Sequence, residues 1–122
     1  MLTIASLVTL LLFTFHMTHD VLLQAEGSVK YPIPVVIFVI WLYGTLMMPD
    51  RVMGYVIMLF GGLIGAGMIV IHSKGLVVRQ SGGFFFVWTM FALAAIGWFT
   101  AILSARGVWE TLRARRLVKR NL

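Results

Sequence analysis

The sequence predicts an all-α membrane protein: four transmembrane helices in an up-down bundle, both termini cytoplasmic, with a basic C-terminal helical tail. Three observations carry that expectation. Hydrophobic residues make up 61% of the 122 residues and charged residues 11%, with a mean hydropathy of +0.99, far from the composition of soluble domains. Four apolar runs, roughly 2–24, 31–48, 52–72 and 84–105, approach the length of about 20 residues that crosses a hydrocarbon core of roughly 30 Å. The cations are also unevenly shared. Four spans put Arg51, Arg106, Arg113, Arg115, Arg116, Lys119 and Arg120 on the side of both termini, against Lys30, Lys74 and Arg79 on the other. Lys and Arg near span ends are retained in the cytoplasm, so the first side is read as cytoplasmic. The membrane expected is the bacterial inner membrane, and the imbalance disfavours a dual-topology dimer. The chain reads as one four-span domain over 1–122 with a juxtamembrane tail at 106–122.

The first run, MLTIASLVTLLLFTFHMTHDVLLQ, has no basic segment before it and no small-residue cleavage site after it, so it is read as a span rather than a signal peptide. Ser6, Thr9, Phe13, His16, Asp20 and Gln24 step along it by three or four residues, forming one polar stripe. Lipid cannot satisfy such a stripe, which therefore belongs against protein. The second run opens YPIP, its prolines in a first turn where missing N–H groups cost little. Pro49 then ends that helix and Asp50 can cap the next. Trp41 and Tyr43 within it are expected in the core.

Small residues dominate the third run. GGLIGAG places Gly61 with Gly65, and Gly62 with Ala66, at the four-residue spacing that lets membrane helices approach closely. Gly97, Ala101 and Ala105 offer a matching seam in the fourth run, so Gly61, Gly65, Gly97 and Ala101 are the expected packing residues. His72 continues the Gly61–Gly65 face. The fourth run begins after SGG with FFFVW, and Trp109 follows its far end, as aromatic belts at interfaces require. Beyond it, Arg113, Arg115, Arg116, Lys119 and Arg120 are expected to meet anionic lipid headgroups. Six of the ten Lys and Arg lie in the last 17 residues, which assigns the net charge of +6 to a membrane surface and not to nucleic acid.

The stretch TFHMTHDVLLQ concentrates the ionisable residues. Counting from Phe13 as the midpoint, His16 lies about 4.5 Å and Asp20 about 10.5 Å outward, both inside the hydrocarbon boundary. An aspartate there must be paired, hydrated or protonated. His16, His19, Asp20 and His72 are thus expected to bind or pass protons or a small cation, histidine titrating near physiological pH. By depth alone, His72 should meet Asp20 or Gln24 more readily than His16. A metal set of His19, Asp20 and His72, or a haem held by two histidines, is the cofactor alternative, with Met17 and Met68 nearby as soft donors. The same side chains could also serve only as packing bonds, worth about 0.6 kcal/mol each.

The absence of cysteine excludes disulfides, thiolate metal sites and iron–sulfur clusters. No phosphate-binding glycine loop or nucleophile-base set stands out, so the reading leans away from an enzyme, with an enzyme or haem-carrying subunit as the third alternative. A non-catalytic accessory subunit, acting in a homo-oligomer or larger membrane complex, is the principal rival to transport. In size and span count the chain resembles several small four-helix membrane families, including small multidrug transporters, fluoride channels and DoxX-like proteins. The resemblance is architectural and carries over no residue: the first acidic side chain here is Asp20, near the outer end of its span.

Overall fold

The computed structural model describes residues 1–23, 32–73 and 83–120, without the side chains of 19–23, 32, 71–73, 83 and 85–86. Among these residues the chain forms four helices and no strand. They are α1 (Leu2–Leu23), α2 (Pro32–Met47), α3 (Val52–Ser73) and α4 (Gly83–Arg120). Pro32 opens α2 at the position where a missing N–H is harmless. The bend at Pro49 and Asp50 is closed by Arg51 N–H donating to the Met48 carbonyl at 3.2 Å. The fourth helix continues past the span end near 105 into the tail, which the sequence also predicts to be helical. It runs unbroken for 38 residues, about 57 Å at 1.5 Å per residue.

Two helices are long and apolar enough to cross a membrane, through Val52–Val70 of α3 and Val87–Arg120 of α4. The described apolar parts of the other two, Leu2–Thr18 and Ile33–Met47, are shorter.

Neighbouring helices alternate in direction. Ser6 of α1 meets Thr45 near the end of α2, Trp41 and Gly44 of α2 meet Gly61 and Ile57 of α3, and Gly62 and Tyr55 of α3 meet Ala101 and Gly107 of α4. Thr9 and Thr100 join α1 to α4. The closest approach is between α3 and α4. A Cβ on Gly97 would lie 2.6 Å from Ala66 N and 2.7 Å from the Gly62 carbonyl oxygen, and one on Gly62 would lie 2.8 Å from Ala101 N. Those are backbone atoms, which cannot swing aside, so only glycine permits this spacing.

The glycines expected to act alike have different partners. Gly61 accommodates the indole of Trp41, whereas Gly65 faces Thr9 Cγ2 at 3.1 Å and Leu93 Cδ1 at 3.3 Å. Residues 61 and 62 point about 100° apart on the helix, so one serves α2 and the other α4.

Polarity is distributed inside out. Ser6, Thr9, His16, Thr45, Thr89, Thr100 and Ser104 are buried, while Val39, Tyr43, Phe60, Val70, Phe91 and Trp98 are among the exposed large apolar side chains. Tyr43 corrects an expectation: Trp41 is in the core but Tyr43, two residues on, is 51% exposed. Leu10, Leu12, Phe13, Trp41, Met68 and Leu93 form the apolar centre, with the Phe13 and Trp41 rings 6.0 Å apart and tilted by 51°.

Candidate functional site

The polar interior has two levels. The level nearer Asp50 and Arg106 is a set of hydroxyls whose hydrogens can be assigned by counting, since a hydroxyl has a single one to give. Thr45 Oγ1 donates to its own helix at the Trp41 carbonyl, 2.9 Å away. In the 2.7 Å contact between Ser6 and Thr45, Ser6 is therefore the donor. Trp41 Nε1 in turn donates to Ser6 Oγ at 2.9 Å. The chain leaves Trp41 by its indole, passes through Ser6 and Thr45, and returns to the backbone of Trp41.

A second chain obeys the same count. Thr9 Oγ1 donates to the Ala5 carbonyl at 2.7 Å, so across the 2.9 Å contact Thr100 donates to Thr9. Ser104 Oγ is buried close by in α4 and has no hydrogen-bond partner among the described residues.

His16 occupies the other level. It is wholly buried, about 10 Å along α1 from Thr9. Between the two levels stand Leu12, Phe13, Met68 and Leu93, all within the apolar centre. The hydroxyls and the imidazole are thus separated by an apolar layer.

Helix register relates residue 72 to residue 16. Gly65 faces Thr9, and α1 and α3 run parallel. Position 72 is seven residues beyond Gly65, and position 16 is seven beyond Thr9. Both therefore advance about 10 Å and return to nearly the same helix face. By this count the backbone at residue 72 comes level with residue 16. The side chains of His19, Asp20 and His72 lie outside the described residues, as does Gln24, so the expected cluster is seen here through His16 and through backbone register. Among the described residues no group of three His, Cys, Asp or Glu side chains could hold a metal ion.

Compared with known proteins, the chain matches no family model, no curated protein and no solved structure. An apolar cleft of about 320 Å³ lies between α1 and α2, lined by Phe13, Thr14, Met17, Thr18, Pro34, Val35 and Phe38. Thr14 and Thr18 are on the far side of α1 from His16, so this cleft is not the imidazole's pocket. Thr14 also turns its hydroxyl onto the Leu10 carbonyl at 2.9 Å.

The buried hydroxyls of α2 and α4 were not legible as a group. Thr100 and Ser104 continue the small-residue seam of Gly97 and Ala101 along one face, which is the signal that could have found them. The five basic residues expected at headgroups are all exposed on the last turns of α4.

Proposed function

We propose that this chain is an integral membrane protein with four spans and cytoplasmic termini. Its non-cytoplasmic half holds a proton or small cation at a site built around His16, with His19, Asp20 and His72 as further members. The observation that carries the proposal is the complete burial of His16 at the level where residue 72 arrives. An ionisable side chain enclosed in a bundle with an apolar exterior marks a candidate functional site.

An exterior of Val, Ile, Phe and Trp around a hydroxyl-rich interior supports the bilayer as the surrounding medium. Arg51 and Arg106 lie at the same end of the α3–α4 pair, as the contact of Tyr55 with Gly107 requires. That supports the cytoplasmic assignment of this end in a bacterial inner membrane.

Binding is favoured over translocation. A hydroxyl relay must release a hydrogen at one end as it takes one at the other. Both chains in this protein end on backbone carbonyls, which accept but have nothing to pass on, and an apolar layer parts them from His16. A second reading, a non-catalytic subunit of a larger complex, draws on Trp88, Phe91, Trp98 and Phe99, exposed along α4.

Histidine-labelled protein in detergent provides the test. The His16 imidazole resonance, assigned through His16→Gln, should move with pH or with added Na⁺, K⁺, Mg²⁺ or Zn²⁺, and Asp20→Asn should change that response. A His16 resonance indifferent to pH and to all four ions overturns the proposal. A Soret band in the purified protein would favour haem instead.

A further inference from the structure

One face of α4 changes character without changing register. Trp88, Phe91, Trp98 and Ile102 are exposed by 53, 59, 57 and 57% and share the side of the helix turned away from the bundle. Steps of three and four residues continue that side through Arg106, Trp109, Arg113, Arg116 and Arg120, all exposed. Between Ile102 and Arg106, a single turn, the stripe passes from apolar to cationic. Arg115 and Lys119 fall elsewhere, on the side that carries Ser104 and Val108 nearer the bundle.

We propose that Trp109, Arg113 and Arg116 form a site for the phosphate of an anionic phospholipid in the cytoplasmic leaflet. The site rests on the membrane-spanning reading above and goes beyond it in naming a ligand and three residues. Trp109, Leu112, Arg113 and Arg116 line a groove of about 180 Å³. Indole rings settle at the headgroup level, which puts Trp109 at the height of the phosphates, with Arg113 and Arg116 about one and two turns further along the helix.

Helix direction completes the site. Every Cα–Cβ bond leans toward the helix N-terminus. Because α4 leaves the membrane with its C-terminus leading, Arg113 and Arg116 lean back toward the phosphate layer. A guanidinium offers phosphate two parallel N–H donors. Arg113 and Arg116 line the groove, whereas Arg106, 3.4 Å from Glu110, and Arg120 do not, so Arg113 and Arg116 are the cations assigned to the lipid.

Diffuse attraction to a charged surface depends on how many cations are present, whereas this site depends on which ones. Full-length protein in phosphatidylcholine micelles is titrated with phosphatidylglycerol, and bound lipid is counted by native mass spectrometry. Arg113→Gln with Arg116→Gln should weaken retention by about fivefold per arginine. Arg115→Gln with Lys119→Gln removes the same charge and should stay within about twofold of the parent. Equal weakening by the two pairs, or none by either, overturns the site. Extraction of membranes with alkaline carbonate separates the two failures. Release of the protein removes the spanning reading and this site together, while retention with equal responses removes the site alone.

Discussion

Thr100 gives its hydroxyl hydrogen to Thr9, and Thr9 gives its own to the carbonyl of Ala5. The order matters for mutation. Thr100→Val removes one bond and leaves Thr9 still donating, for a cost of about 0.6 kcal/mol. Thr9→Val removes both bonds and costs about twice that. The double variant should be no worse than Thr9→Val, because the shared bond is lost only once. Unfolding in mixed micelles measures the cycle, and strict additivity would contradict the assigned direction and sharing.

Gly97 and Gly67 predict opposite outcomes for the same substitution. Gly97→Ala drives a methyl to 2.6 Å from Ala66 N, and the helix pair must separate, at about 1–3 kcal/mol. A Cβ on Gly67 meets nothing within 4 Å. Gly67→Ala should therefore stabilise by about 0.5–1 kcal/mol through helix propensity alone. Thermal unfolding of the two variants checks the sign of each.

Ser104 offers a gain of stability from a deletion. Its hydroxyl is buried with no hydrogen-bond partner among the described residues, and such a group keeps its desolvation cost uncompensated. Ser104→Ala leaves nearly the same volume and should raise stability by about 1 kcal/mol. A loss of similar size in the same unfolding assay would show that the hydroxyl has a bonding role.

The two closed hydroxyl chains predict a protein that does not conduct protons. Proteoliposomes carrying a pH-sensitive dye, under an imposed potential, should acidify no faster than empty liposomes. Acidification that Thr100→Val or Thr45→Val abolishes would mean that the chains reverse, and translocation would replace binding.

How much of this was legible in the sequence depended on the kind of signal. The three-and-four step of Ser6, Thr9, Phe13 and His16 marks a single face, and all four are buried. Polar residues among Leu and Val stand out, and lipid leaves them only one side to face. Thr45, Thr100 and Ser104 carry much less signal, because a lone hydroxyl can satisfy itself on its own helix carbonyl and is tolerated on any face. Gly61 and Gly62 were legible as a place of close approach but not as a choice of neighbour, since that depends on how helices from distant parts of the chain are arranged. The level of residue 72 depends on the same arrangement. Counting depth separately along each span ignores the offset between helices, which the approach of Gly65 to Thr9 sets.

The continuity of α4 has a mechanical side. No proline interrupts Gly83–Arg120, and sharp kinks need such a cause. From Arg116 back to Leu93 is about six turns of one hydrogen-bonded rod. A torque applied at the arginines therefore has no joint in which to dissipate. The arginines, Thr100 and the layer beneath His16 are thus joined by one continuous helix, with the cationic end and the core on a single axle.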